Sequence, residues 1–189
     1  MKPFFISIGP IRVTWFMAFS VFLIILGYII LKTISTDNKY KKEIEDLYLV
    51  EVISGFIGAR LVYFILNYNL FEENIFDIIK LNHYNLSFIG GVLVSMVILY
   101  IITRIKNIPF FDILNTLLIP FYFSIAIGIW SFEFEGILSP LSLKETMIVS
   151  GIYILALVLH SLLIRKKEQF SILILILSIM SYYSFTIVI

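Results

Sequence analysis

Six apolar stretches divide the chain, and each is long enough to cross a bilayer as a helix, which takes about 20 residues. They cover residues 13–31, 48–68, 86–103, 113–132, 147–164 and 170–189. The first has no charged residue, the second contains Glu51 and Arg60, and the fourth carries Pro120 mid-span. The longest polar intervals are Lys32–Asp46 and Glu72–Asn85. The pattern predicts an all-α polytopic membrane protein: six transmembrane helices with short loops, forming a single integral membrane domain over residues 1–189. Lys39–Asp46 reads as a solvated charged loop opening helix 2. The first apolar run is too long for a cleaved signal peptide, and no small-residue cleavage site follows it.

Basic residues give the expected orientation. The loops after helices 1, 3 and 5 hold Lys32, Lys39, Lys41, Lys42, Arg104, Lys106, Arg165, Lys166 and Lys167. The opposite side holds Lys2, Arg12, Lys80 and Lys144. Nine against four predicts cytoplasmic odd loops and both termini outside.

Composition narrows the class. The chain is 60% hydrophobic and 14% charged, against about 45–50% and about 25% in soluble domains. So little charge could not cover a soluble surface, and so much apolar content excludes disorder. A net charge of +1 excludes a strongly basic nucleic-acid binder. Without cysteine there is no disulfide, Cys zinc site or thiol nucleophile. With two histidines, no protein-built metal site and no cofactor is expected. Neither a Gly-x-Ser-x-Gly elbow nor a His-Glu-x-x-His motif is present.

Arg60 is the most informative residue. It lies twelve residues past Tyr48, roughly 18 Å into the span, on the outward half. An Arg there costs about 2.5–3.5 kcal/mol on insertion scales. A carboxylate, a lipid phosphate or a wet cavity would offset that; the alternative is snorkelling to the outer headgroups. Glu51 is on the opposite face, about 13 Å away along the axis. It shares its face with Ser54, Gly55 and Gly58, where the spacings Ser54 to Gly58 and Gly55 to Ala59 suit close helix packing. Arg60 shares its face with Tyr63, Phe64 and Asn67.

Three further segments stand out. Asn85-Leu86-Ser87-Phe88-Ile89-Gly90-Gly91 opens helix 3 on the outer side, with Asn85 or Ser87 as cap. Gly90 and Gly91 open two readings: an anion pocket at a helix N-terminus beside Arg60, with a phospholipid headgroup as the natural anion, or a close-packing step between helices. Glu133 and Glu135 follow Trp130 where helix 4 exits. They are a paired acid and base if the backbone is extended, and solvated acids in an aromatic belt if it is not. Glu145 precedes helix 5, where an acid commonly caps a helix. His83 falls in the outer loop, and His160 near the inner end of helix 5, within reach of interface water.

Ordered segments resemble the bacterial prolipoprotein diacylglyceryl transferases. Ser7-Ile8-Gly9-Pro10-Ile11-Arg12-Val13-Thr14-Trp15-Phe16 resembles the family's opening I-G-P-x-x-x-x-W-Y. Gly58-Ala59-Arg60-Leu61-Val62-Tyr63 is similar to G-[GA]-R-x-x-Y, and Leu86-Ser87-Phe88-Ile89-Gly90-Gly91 to S-F-H-G-G. Weaker matches are Ser124–Gly128 with Gly136, against G-x-A-x-G-R-x-G-N-F-x-N-G, and Pro140–Glu145, against P-T-Q-L-Y-E. The resemblance implies transfer of a diacylglyceryl group from phosphatidylglycerol to a lipobox cysteine of a prolipoprotein, in the bacterial inner (plasma) membrane. Arg60, Ser87, Gly90, Gly91, Tyr63 and Asn67 would bind the lipid phosphate. Glu145, Glu135 and Glu133 would be the candidate catalytic acids.

The departures are specific. The family's His in S-F-H-G-G is Ile89, and its signature Arg is Ile129, or Ile127 after a two-residue shift. The signature Asn residues become Phe132 and Glu135, and two family tyrosines become Phe16 and Lys144. A loop stands where the family has an outer head region, and no late Arg motif or seventh helix is recognised. Three functions therefore remain in view: an active transferase, a degenerate relative that binds phospholipid or a lipoprotein partner, and a six-helix substrate-binding subunit of a small-molecule importer.

Overall fold

The computed structural model describes residues 4–8, 11–71, 86–135, 141–163 and 170–186. The chain begins with strands β1 (Phe4–Ile8) and β2 (Ile11–Thr14). Helices follow: α1 (Trp15–Ile34), α2 (Lys41–Leu66), α3 (Phe88–Ile105), α4 (Phe110–Gly128), α5 (Ser131–Glu135), α6 (Leu143–Leu163) and α7 (Phe170–Thr186). A 3-10 turn, Tyr68–Phe71, follows α2.

Among the described residues, five helical stretches have the length and hydropathy of a membrane span: Trp15–Ile34, Lys41–Leu66, Phe88–Ile105, Phe110–Phe134 and Leu143–Leu162. A sixth apolar helical stretch, Ser171–Tyr183, is shorter. The fold is nearly all helical. The all-α expectation is corrected by the antiparallel pair β1–β2, which aligns Ile8 with Ile11 and Phe4 with Thr14, with a register shift between Phe4 and Ile6. The β-branched positions Ile6, Ile8, Ile11 and Val13 favour a strand over the helix that continues from them.

Helix starts also differ from the apolar boundaries. Lys41–Asp46 is not a loop but the first turns of α2, because Lys and Glu are strong helix formers whether or not lipid surrounds them. Thr14 caps α1 by accepting from the Met17 N–H at 3.2 Å. α6 starts at Leu143 rather than residue 147, where Ser142 and Glu145 form a reciprocal capping box. α3 stops at a left-handed Asn107 (φ 53°), with the Ile108 N–H bonded to the Thr103 oxygen at 3.0 Å.

The chain divides into two compact units, Met1–Asp37 with Leu114–Ile189, and Asn38–Ile113. In the first, Leu23, Tyr122, Ile129, Val149 and Tyr153 are buried. In the second, α2 packs on α3 through glycine. A Cβ on Gly58 would come within 2.9 Å of the Gly90 oxygen, and one on Gly90 within 3.0 Å of the Gly58 oxygen. A Cβ on Gly91 would lie 2.9 Å from the Gly55 oxygen. The small-residue spacings on α2 therefore seat α3, as that pattern implies.

Candidate functional site

In the second unit, Arg60 sits on α2 two residues beyond Gly58. It is 6% exposed and interacts with other groups of the protein. A side chain so enclosed is covered by protein, the offset that an arginine within a span requires. α2 ends at Leu66, only about 9 Å of helix rise past Arg60. Tyr63, Phe64 and Asn67 are half-buried on the same side. Asn67 closes the helix: its backbone N–H and its Nδ2 both donate to the Tyr63 oxygen at 3.0 Å.

The start of α3 is fastened beside Arg60. The Ser87 N–H donates to the Ala59 oxygen at 2.9 Å. Ser87 is the N-cap, its Oγ accepting from the Gly90 N–H at 3.2 Å. The Gly91 N–H donates to the Ser87 oxygen at 3.0 Å. Both glycine amides are thus used within the helix start, and their missing side chains make room for α2. Ile89, where the family resemblance has His, is 37% exposed.

In the first unit, Glu133 and Glu145 converge on the start of α6. Glu145 Oε2 accepts from the Ser142 N–H at 2.8 Å and from Ser142 Oγ at 2.7 Å. Thr146, fully buried, donates from Oγ1 to Glu133 Oε1 at 2.8 Å. Glu133 and Glu135 lie on the helical turn α5, so the extended backbone that would pair them is not formed. The Glu135 side chain, with His83, Gly136 and Pro140, lies outside the described residues.

Aromatic rings frame this end. Trp15 meets Phe5 edge-on and Phe134 at a tilt, with centroids 4.9 and 5.1 Å apart, and Phe16 lies parallel to Phe132 at 6.1 Å. The opening motif and the weaker fourth segment therefore meet, through residues on either side of Glu133. Phe5, Trp15, Ala18, Phe19 and Phe22 line an apolar groove of about 240 Å³. Behind it, Trp130 Nε1 donates to Ser150 Oγ at 3.1 Å, which donates to the Ala126 oxygen at 2.7 Å. Ile129, where an ungapped reading puts the family's Arg, is 4% exposed and is core. His160 is also core, 1% exposed with Nε2 against the Asn115 oxygen, which corrects its expected reach to interface water. Sequence reading missed Thr146, Ser142 and Asn115; the Ser-x-x-Glu capping pattern could have found Ser142.

Apolar helices of spanning length and polar groups gathered at their ends define an integral membrane protein. A family model for prolipoprotein diacylglyceryl transferase matches residues 3–138. The chain belongs to that family. It is 25% identical over 149 residues to the phosphatidylglycerol–prolipoprotein diacylglyceryl transferase of Finegoldia magna, covering 77% of this chain and 60% of that one. To the enzyme so named from Fusobacterium nucleatum it is 29% identical over 109 residues, covering 57% and 38%. With that from Listeria welshimeri, 23% identity extends over 98% of this chain and 76% of the other. The chain thus spans about 60% or less of the first two relatives' length. Family membership speaks against an importer subunit.

Proposed function

We propose that this chain is a six-span inner-membrane protein, with both termini outside, that transfers a diacylglyceryl group from phosphatidylglycerol to a prolipoprotein cysteine. The observation that carries the reading is the buried Arg60 in a Gly-Ala-Arg segment, within a chain of this family. In the reaction, the cysteine sulfur forms a C–S bond as the glyceryl C–O bond to phosphate breaks. The electron pair leaves with the phosphate oxygen, and the thiol proton passes to a base. Arg60 would neutralise the phosphate as charge gathers on it, with Ser87, Gly90, Gly91, Tyr63 and Asn67 forming its surroundings. Of the three acids, Glu133 is the one assigned to take the proton: among the described residues, Thr146 holds one of its oxygens. Glu145 is the weaker candidate, because its carboxylate closes a capping box. The groove beside Trp15 suits an acyl chain.

A second reading is a degenerate relative that binds phospholipid or a lipoprotein partner without turning it over. The two isoleucines, Ile89 and Ile129, favour it, since neither can donate a hydrogen bond or carry charge. Purified protein in phosphatidylglycerol liposomes, given a lipobox peptide, separates the two. Thioether product that disappears in Arg60→Ala supports transfer. Phosphatidylglycerol binding without product supports the second reading.

A further inference from the structure

The first unit holds buried polar atoms that the transferase reading does not use. His160 is 1% exposed, Asn115 5%, and Tyr122 and Tyr153 are fully enclosed. His160 Nε2 lies 2.9 Å from the Asn115 backbone oxygen. A carbonyl only accepts, so this nitrogen carries the hydrogen. In the neutral ring Nδ1 is then a bare acceptor. Nδ1 is buried with no hydrogen-bond partner, as are Asn115 Oδ1 and Tyr122 Oη; the Tyr153 hydroxyl faces Ser178 on α7. The Tyr122 ring meets the imidazole edge-on at 5.6 Å and lies 6.4 Å from the Tyr153 ring. Asn115 and Tyr122 are two turns apart on α4, and Tyr153 and His160 two turns apart on α6, so each pair lies along one stripe.

The inventory is complementary. Two groups can only accept, and the Tyr122 hydroxyl can both donate and accept. The ring contact sets Tyr122 beside His160, and no direct bond closes between their polar atoms. One turn further along α6, Ser150 ties the same two helices directly, through Trp130 and Ala126. Here the tie needs a small molecule that donates and accepts at once. Water does so, and buried water typically makes about 3 such bonds. Buried orphan acceptors and hydroxyls are otherwise rare in native proteins. We propose that Asn115, Tyr122 and His160 form an internal water-binding site that joins α4 to α6.

Histidine reports on it directly. The chain has two histidines, so His83→Gln leaves His160 as the single imidazole. The variant, labelled with ¹⁵N-histidine in liposomes, is examined by solid-state NMR. The expected spectrum shows an Nε2–H tautomer, a hydrogen-bonded Nδ1, and transfer of water magnetisation to the ring. The transfer persists, with slower build-up, in His83→Gln/Tyr122→Phe. A dry ring or an Nδ1–H tautomer overturns the proposal. Loss of all transfer on Tyr122→Phe overturns it too, since the hydroxyl itself would then be the partner. Should the double variant fail to fold, the His83→Gln spectrum decides alone.

Discussion

The Ser87 N–H and the Ala59 oxygen meet at 2.9 Å, one residue before Arg60. This bond crosses between two helices and uses a carbonyl inside α2. It makes the position of the α3 cap a function of the backbone that carries Arg60. Whatever Arg60 binds is thereby presented to a helix start held in fixed register.

Arg60→Ala is expected to lower diacylglyceryl transfer by at least about 10²-fold, the usual loss when one donor to developing charge is removed. Arg60→Lys keeps the charge but not the planar fork, and should recover only part of it. Product formation in liposomes measures both, alongside thermal melting to show that the variants are folded. Equal rates for Arg60→Ala and the parent protein would refute the phosphate role.

Gly58→Ala and Gly90→Ala each add a carbon against backbone oxygen at 2.9 and 3.0 Å. Each is expected to destabilise by about 1–3 kcal/mol, as overpacking does. Gly151→Ala is the control: its Cβ would meet nothing within 4 Å, and helix propensity favours alanine. Melting temperatures in detergent should fall for the first two and hold or rise for the third.

Ser142→Ala and Glu145→Ala break the same capping box. Each should cost about 0.5–2 kcal/mol, and the double variant less than their sum. If Glu145 serves only as a cap, transfer by the folded Glu145→Ala variant stays near the parent rate. A loss of rate far beyond that of Ser142→Ala would restore it as a base.

Thr146→Val keeps the side-chain shape but removes the hydroxyl that donates to Glu133. Glu133→Gln keeps the size but cannot take a proton. If Glu133 is the base, Glu133→Gln should reduce transfer by about 10²–10⁴-fold. Thr146→Val should shift the pH–rate profile instead of abolishing turnover. An unmoved profile would make Thr146 merely structural.

Ile89→His tests the degenerate reading. Ile89 is 37% exposed in the first turn of α3, so an imidazole fits there without opening the core. A gain in product would mean that the isoleucine is what limits turnover. Ile129→Arg, by contrast, would bury a charge in a position 4% exposed, and should unfold the protein rather than activate it.

The membrane helices were legible because hydropathy over a span is a long, redundant signal. The glycine seam was half legible: the spacings of Ser54, Gly55, Gly58 and Ala59 pointed to close packing, while Gly90 and Gly91 suited an anion pocket equally well. Hydropathy could not mark where α2 begins, because Lys41–Asp46 is helical without being apolar. The hairpin was hidden by the continuity of its apolar residues with α1. At the site, Arg60 announced itself by its cost in lipid. Thr146 did not, since its partner lies thirteen residues away across a turn and a helix start. Nor did the burial of His160, which depends on Asn115 from a different helix.

Gly58 receives the side chain of Val94, and Gly90 that of Val62, with each glycine's carbonyl close behind. Elsewhere in a protein, helix spacing floats with the rotamers that separate two axes. Here the separating layer is two valines, whose β-branched side chains have little rotamer freedom in a helix. The backbone that bears Arg60, two residues further along, inherits that stiffness.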